Sequence, residues 1–525
     1  MLAEDDIVSA GPSQSDFSAA DTEATPLLRA TTSTASTSTM VEKNIGISQQ
    51  TLVSNAGDRN VAAAKKLPQY MAGVAATLGA LAMGMVIGWA SAAGEDGKNL
   101  ISEYKISMTK DEFSWITSLV TLGAAAICVP IGILSDLIGR KTAMLILVVP
   151  FTVGWLLIVF ANSLGMFYIG RFITGVSGGA FCVTAPMYTA EIAENSIRGT
   201  LGSYFQLMLT VGILVSYVLG PMISMFQLSL ISTVIPVIFF CVFFFMPETP
   251  IYYLKKGNLD AARASMVRLR GPHYNVEPEI QAQQEILEEA ERNSVSFFEA
   301  IQGKAAIKGL VIGFGLMFFQ QLSGVNAIIF YASTIFEKAD ESIPATTATI
   351  IVGVIQVVAV FLSTLVVDRL GRRILLLASI VAMFITTLIL GVYFYLQMVV
   401  KADVSNIGWL PLLCVCTFIF LFSMGFGPIP WMMMGEIFSS TVKGIAGSSA
   451  CLFNWLMAFV VTRYYLPLEK SAGAYTCFWI FSVVCAVGTL FIFFVVPETK
   501  GKTLEEIQYE LGGEAPTPRR DSGKA

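Results

Sequence analysis

Asp136-Leu137-Ile138-Gly139-Arg140-Lys141 returns 232 residues later as Asp368-Arg369-Leu370-Gly371-Arg372-Arg373. Two more pairs follow in the same order. Glu191-Ile192 with Arg198-Gly199 matches Glu436-Ile437 with Lys443-Gly444, at an offset of 245. Pro247-Glu248-Thr249 matches Pro497-Glu498-Thr499, at an offset of 250. One such match is weak; three in order, at nearly constant offset, mark an internal duplication. Each copy stands at the end of an apolar run.

Outward from these motifs the chain resolves into twelve apolar runs, the first at 70–91 and the last at 474–496. Each is long enough to cross a hydrocarbon core, which takes about 20 helical residues. They are too long for strands, and helices satisfy their own backbone groups in lipid. Composition agrees: the 525 residues are 54% hydrophobic and 14% charged, with a mean hydropathy of +0.67. That is too little charge to cover a soluble protein of this size. The expectation is an all-α membrane protein with 12 transmembrane helices in two six-helix halves. Residues 1–66 read as a disordered tail rich in Ser, Thr and Ala. Then come an N-terminal bundle (67–246), a linker with short charged helices (247–308), a C-terminal bundle (309–497) and a tail (498–525). Twelve spans put both ends of the chain on one side. Between spans, that side carries 15 Lys and Arg against 7 on the other, so both termini are expected in the cytoplasm.

The same composition excludes several functions. The single histidine, His273, lies in a polar stretch, and no nucleophile–base arrangement can be assembled around the spans. Enzyme chemistry, a cofactor and a metal are therefore not expected. The eight cysteines all lie in apolar runs, where Cys behaves as a small hydrophobe, and their spacing fits neither a disulfide framework nor a zinc site. No basic patch suggests nucleic acid. No cleavable signal peptide and no Asn-x-Ser/Thr sequon are expected.

The duplicated motifs carry Asp136, Arg140, Glu191, Arg198, Glu248, Asp368, Arg372, Arg373, Glu436, Lys443 and Glu498. Carboxylates and cations at matching span ends are expected to form a charge network. It would tie the halves together when the site faces outward and release them when the cytoplasmic side opens, as a rocking carrier requires.

The chain resembles the sugar-porter branch of the major facilitator superfamily, and within it the facilitative glucose and trehalose transporters. The resemblance spans roughly residues 68–510. It rests on Gly170-Arg171, Pro186-Met187-Tyr188, Arg198-Gly199-Thr200-Leu201-Gly202, Pro247-Glu248-Thr249-Pro250 and Gln320-Gln321-Leu322-Ser323-Gly324-Val325-Asn326. It continues in Gly427-Pro428-Ile429-Pro430-Trp431, Phe453-Asn454-Trp455 and Pro497-Glu498-Thr499-Lys500-Gly501. It implies the major facilitator fold and a cavity lined by Gln206, Gln320, Gln321, Asn326, Trp431 and Asn454. Gln356 stands where many glucose transporters have Asn. Side-chain amides suit a polyol because one group both donates and accepts without charge. Three amides within seven residues of span seven, around Gly324, are expected to be a site and not helix–helix glue. Tyr331 is expected to gate the outer side, and the Gly427–Pro430 interruption to act as a hinge.

Departures from the family pattern matter too. Ile251 replaces an Arg of the charge network. Lys443 also stands where an Arg is usual, and a Lys cannot clamp a carboxylate bidentately. Ser423 replaces a carboxylate. Proton-coupled relatives carry an Asp in span one; here Ala90 sits near that place, and the spans hold no Asp, Glu or His away from their ends. Facilitated diffusion of a neutral sugar, hexose or trehalose, is therefore expected. A proton-coupled symporter and a non-transporting sugar sensor remain the alternatives. Glu23-Ala24-Thr25-Pro26-Leu27-Leu28 fits the acidic dileucine pattern read by sorting adaptors. The expected location is the plasma membrane, with an endosomal or lysosomal membrane as the alternative. The expected partners are the sugar, the bilayer and that adaptor.

Overall fold

The computed structural model describes residues 63–292, 303–339, 343–438, 440–502 and 504–512; the side chains of residues 289–291, 368, 440–445 and 504–505 are outside the description. Among the described residues, twelve helices are long and apolar enough to cross a membrane, as the sequence leads one to expect. The first six are α1 Leu67–Ala92, α2 Lys110–Ile138, α3 Arg140–Val159, α4 Leu164–Ile192, α5 Arg198–Leu219 and α6 Met225–Phe243. The second six are α7 Lys304–Phe330, α8 Ala345–Val367, α9 Arg372–Val400, α10 Ser405–Ile437, α11 Ala446–Ala472 and α12 Ala474–Val495.

Local chemistry sets the ends and the breaks. Thr109 and Glu112 form a capping box at the start of α2, and Ser224 and Gln227 form another at α6, each satisfying N–H groups that a helix leaves orphaned. Within the halves, glycine lets helices touch backbone to backbone. A Cβ on Gly84 of α1 would come 2.9 Å from Cα of Gly212 on α5, and one on Gly123 of α2 would come 2.8 Å from the Val176 amide nitrogen on α4. Small residues at such crossings are the usual currency of helix packing in lipid, where no hydrophobic force draws helices together.

Two spans of the C-terminal half are broken. α7 stops at Leu322 and restarts at Val325. Gly324 makes the join at φ +92°, pressed against the Phe481 ring, a setting that only glycine takes without strain. α10 loosens into a π-turn over Phe422–Phe426, and the helix resumes at Ile429. Pro428 and Pro430, which lack the N–H that would continue the ladder, account for the break.

We call the end that carries Leu67, the linker and the three repeated motifs proximal, and the other distal. The halves are joined distally. Ser91 Oγ lies 3.0 Å from Ser333 Oγ, the Tyr217 hydroxyl donates to the Ile329 carbonyl at 2.6 Å, and Lys98 pairs with Glu337 at 2.6 Å and Arg463 with Asp111 at 2.7 Å. Down the α2–α11 seam the contacts run through Thr121–Thr462 to Cys128–Cys451. One turn further, an added Cβ on Gly132 or on Gly447 meets nothing within 4 Å. The halves part there, and the structure is open toward the proximal end.

The linker helices Pro250–Lys255, Leu259–Arg270 and Glu277–Arg292 dock on the N-terminal half. Buried Arg270 bonds Glu279 at 2.7 Å and donates to the Ile192 carbonyl, also at 2.7 Å, where α4 ends.

Candidate functional site

The break in α7 gathers four of the amides singled out from the sequence. Asn326 Nδ2 donates to the side-chain oxygen Oε1 of Gln321. Gln321 Nε2 donates to Asn454 Oδ1 at 2.8 Å, and Asn454 Nδ2 to Gln320 Oε1 at 2.8 Å. Gln320 Nε2 then spends both hydrogens on α10, on the carbonyls of Phe426 at 2.7 Å and Gly427 at 3.0 Å. The amides thus form one chain from the α7 break to the α10 break. Gln320, Gln321 and Asn454 are buried, while Asn326 is half-buried. Free capacity is concentrated at the Asn326 end: one N–H and both lone pairs of Oδ1 there, and one N–H on Gln321. Gln320 is turned to the α10 break, with a single lone pair left over.

Gln206 on α5 and Gln356 on α8 lie apart from this chain. Gly353 of α8 packs on Leu214 and Tyr217 of α5, at 3.0 Å from an added Cβ, so the two helices cross there. Gln356 is three residues proximal of that crossing on α8, and Gln206 is eight residues proximal of Leu214 on α5. Gln356 is buried and Gln206 half-buried, and among the described residues neither side chain has a hydrogen-bond partner. Trp431, on the first turn after the α10 break, is 42% exposed.

Distal to the amides, Tyr331 is buried. Its hydroxyl meets Thr117 Oγ1 across the halves and donates to the Thr462 carbonyl at 2.8 Å. Its ring stacks on Tyr465 with centroids 5.3 Å apart. Fully buried Arg171 donates to the carbonyls of Val86 (2.9 Å) and Ile116 (3.2 Å) and lies 4.7 Å from the Trp89 ring centroid. Carbonyl dipoles and an aromatic face here do part of what a counter-carboxylate would do.

The repeated motifs fold into two matching clusters. Gly139 (φ +99°) and Gly371 (φ +97°) open α3 and α9. Glu248 accepts from the Lys141 amide at 2.9 Å, and Glu498 from the Arg372 and Arg373 amides at 3.0 Å. Each carboxylate thereby caps the positive end of a helix dipole. A Cβ on either glycine would run into the capping carboxylate. Their surroundings nevertheless differ. Burial pushes the Glu248 carboxyl above its ordinary range against the pull of its backbone donors. Burial also acts on Glu498, but there the amides of Lys500, Arg372, Arg373 and Thr499 outweigh it and hold the carboxyl below that range. Arg140 binds Glu191 at 2.9 Å and Asp136 at 2.7 Å; Arg372 binds Glu436 at 3.0 Å.

Among the described residues, every ion pair at the proximal end joins groups of one half or its linker. The pairing across halves expected for the opposite conformation is not made in this one, because the halves are apart here. Two residues expected in the network are turned elsewhere. Arg198 donates to the Ala193 carbonyl at 3.5 Å, and Arg373 reaches the Phe493 carbonyl and stands 5.7 Å from its ring centroid. The side chains of Asp368 and Lys443, and the whole of the Glu23–Leu28 motif, lie outside the described residues.

Sequence reading missed Ser363 on α8 and Ser379 on α9. Ser363 Oγ donates to the Met424 carbonyl at 3.1 Å, and Ser379 Oγ accepts from the Phe426 amide at 3.2 Å. A lone serine in an apolar span carries no signal by itself. The prolines four residues beyond Met424 and Phe426 did announce two carbonyls in need of donors.

Two six-span halves, sealed at one end, open at the other and enclosing uncharged polar groups, define a membrane carrier of the major facilitator kind. The Sugar (and other) transporter family model matches residues 34–511, and the chain belongs to that family. It is 39% identical to a facilitated trehalose transporter of Polypedilum vanderplanki over 448 residues, 85% of this chain and 88% of that one. With a facilitated trehalose transporter of Bombyx mori it shares 38% over 443 residues, 84% of this chain and 86% of the other. Among solved structures, the inward open conformation of the xylose transporter XylE from E. coli is similar, with a TM-score of 0.70 and 24% identity. That match covers 84% of this chain and 99% of XylE, and it bears on the fold.

Proposed function

We propose that the chain carries a neutral sugar, a hexose or trehalose, down its gradient by alternating access. The observation that carries this reading is the amide chain that ends at Asn326 with unused donors and acceptors, at a break in α7 and below the Tyr331 seal. Broken spans are where carriers of this architecture place their substrates. We assign Gln206, Gln356 and Trp431 to the same passage as further polar and aromatic groups. The family membership and the facilitated trehalose transporters it resembles support the substrate class. The excess of Lys and Arg on the proximal side supports a cytoplasmic assignment for that end, which makes this conformation inward-open. Tyr331 with Thr117 and Thr462 would then be the outer gate, and the Arg140 and Arg372 clusters the parts that meet when the inner side closes.

Uniport is favoured over proton symport by Arg171. Its partners are carbonyls and an indole, and Ala90 stands one turn beyond Val86 on α1, so no group there takes up and releases a proton. In proteoliposomes, labelled glucose or trehalose is expected to equilibrate and no further. An inside-alkaline pH gradient is expected to leave the plateau unchanged; accumulation above the outside concentration would sink uniport.

We propose the plasma membrane as the site of action, with Glu23, Leu27 and Leu28 setting the share held inside. Imaging a Leu27→Ala/Leu28→Ala double variant is expected to show more protein at the surface. An unchanged surface level removes the adaptor.

A further inference from the structure

Pro428 and Pro430 strip α10 of two backbone donors. In a regular helix the N–H of residue 428 would serve the Met424 carbonyl, and that of residue 430 the Phe426 carbonyl. Both carbonyls are nevertheless satisfied. Ser363 Oγ of α8 donates to Met424 at 3.1 Å, and Gln320 Nε2 of α7 donates to Phe426 at 2.7 Å. The π-turn creates one further orphan. The Gly427 amide takes the Phe422 carbonyl at 2.7 Å, which displaces the Phe426 amide onto Ser379 Oγ of α9. Ser363, Ser379 and Gln320 are all buried, where an unmade hydrogen bond costs its full desolvation penalty. Gly425 allows α9 this close: an added Cβ would be 2.6 Å from the Leu375 carbonyl oxygen.

We infer that Ser363, Ser379 and Gln320 are positioning residues of the α10 joint: side chains from three neighbouring helices replace the backbone partners that the two prolines and the π-turn remove, and so fix the bend of α10 in the proximally open conformation. They act through the α10 backbone; neither serine belongs to the amide chain assigned to substrate. Where the inference concerns transport it rests on the carrier reading above. Through Gln320 the joint is continuous with Asn454, Gln321 and Asn326, so occupancy at Asn326 and the setting of α10 share one hydrogen-bonded chain. Removing a donor from the joint makes this conformation less favourable relative to one in which α10 is set differently.

The test needs no sugar. A cysteine introduced at Gly447, on the α11 face that carries Cys451 one turn on, reports the proximal opening through its rate of modification by a membrane-impermeant maleimide added from that side. The same chain without that cysteine gives the background. Ser363→Ala is expected to lower the rate by about five-fold, the loss of one buried hydrogen bond from this conformation. Adding Pro428→Ala, which returns an N–H to the Met424 carbonyl, is expected to restore it. Adding Pro430→Ala, whose N–H addresses the Phe426 carbonyl, is not. Ser363→Cys, which keeps the size and weakens the donor, is expected to fall between Ser and Ala. An unchanged rate in Ser363→Ala, or equal rescue by both proline variants, overturns the assignment. A wild-type chain that moves no sugar ends the carrier reading and leaves this result standing.

Discussion

Replacing Asn326 with alanine is expected to cut uptake at low sugar concentration by about ten- to hundred-fold, the equivalent of about 1.5 to 3 kcal/mol of lost hydrogen bonding to substrate. Asn326 is the one member of the amide chain with a full acceptor and a spare N–H, so a hydroxyl that both gives and takes can be matched there by a single side chain. Its fold role is small. It makes one hydrogen bond, to Gln321, and the α7 break is fixed independently by Gly324 against Phe481. Expression and thermal midpoint should therefore change little. Gln320→Ala is also expected to impair uptake, by a different route: it strips donors from Phe426 and Gly427 as well as an acceptor from Asn454. Its thermal midpoint should fall alongside transport. Normal uptake in Asn326→Ala would place the sugar elsewhere.

Arg140→Ala is expected to destabilise the folded protein by about 3 to 5 kcal/mol, the range for removing one partner of a buried ion pair. The Arg140 side chain is 1% exposed and holds Glu191, Asp136 and the Ser135 carbonyl at once. Glu191 would be left with its other oxygen, Oε2, already buried and without a partner among the described residues. The equivalent Arg372 is 12% exposed, so water relieves part of its loss and Arg372→Ala should cost less. The comparison is read as thermal midpoints in one detergent. Equal losses would mean that the duplication is symmetric in energy as well as in geometry, against this account.

Much of the fold was legible because lipid leaves a chain few choices. Twelve apolar runs can only be helices, and the paired Gly139 and Gly371 motifs announced two related halves. The glycine-proline run in span ten located the α10 break. The connectivity inside the site was less visible. Gln320 and Asn326 sit six residues apart in sequence and look alike, yet one is committed to backbone carbonyls and the other retains free capacity. That difference depends on how α7 and α10 face each other, and no local pattern encodes it. Ser363 and Ser379 were silent for the same reason: their partners are backbone atoms on another helix. The conformation was illegible too. Arg140, Glu191, Arg372 and Glu436 have the same sequence whether the halves meet at the proximal end or part there.

Counterflow distinguishes an alternating-access carrier from a pore and from a protein that moves no sugar. Proteoliposomes loaded with a high concentration of unlabelled trehalose or glucose and diluted into a trace of the same labelled sugar should show a transient overshoot of label inside. A carrier whose site is exposed to one side at a time traps label while the unlabelled sugar competes for exit. The overshoot is expected for at least one of the two sugars in the wild type, and its loss is expected in Asn326→Ala. Label that rises monotonically to equilibrium for both sugars, or does not enter at all, would contradict it.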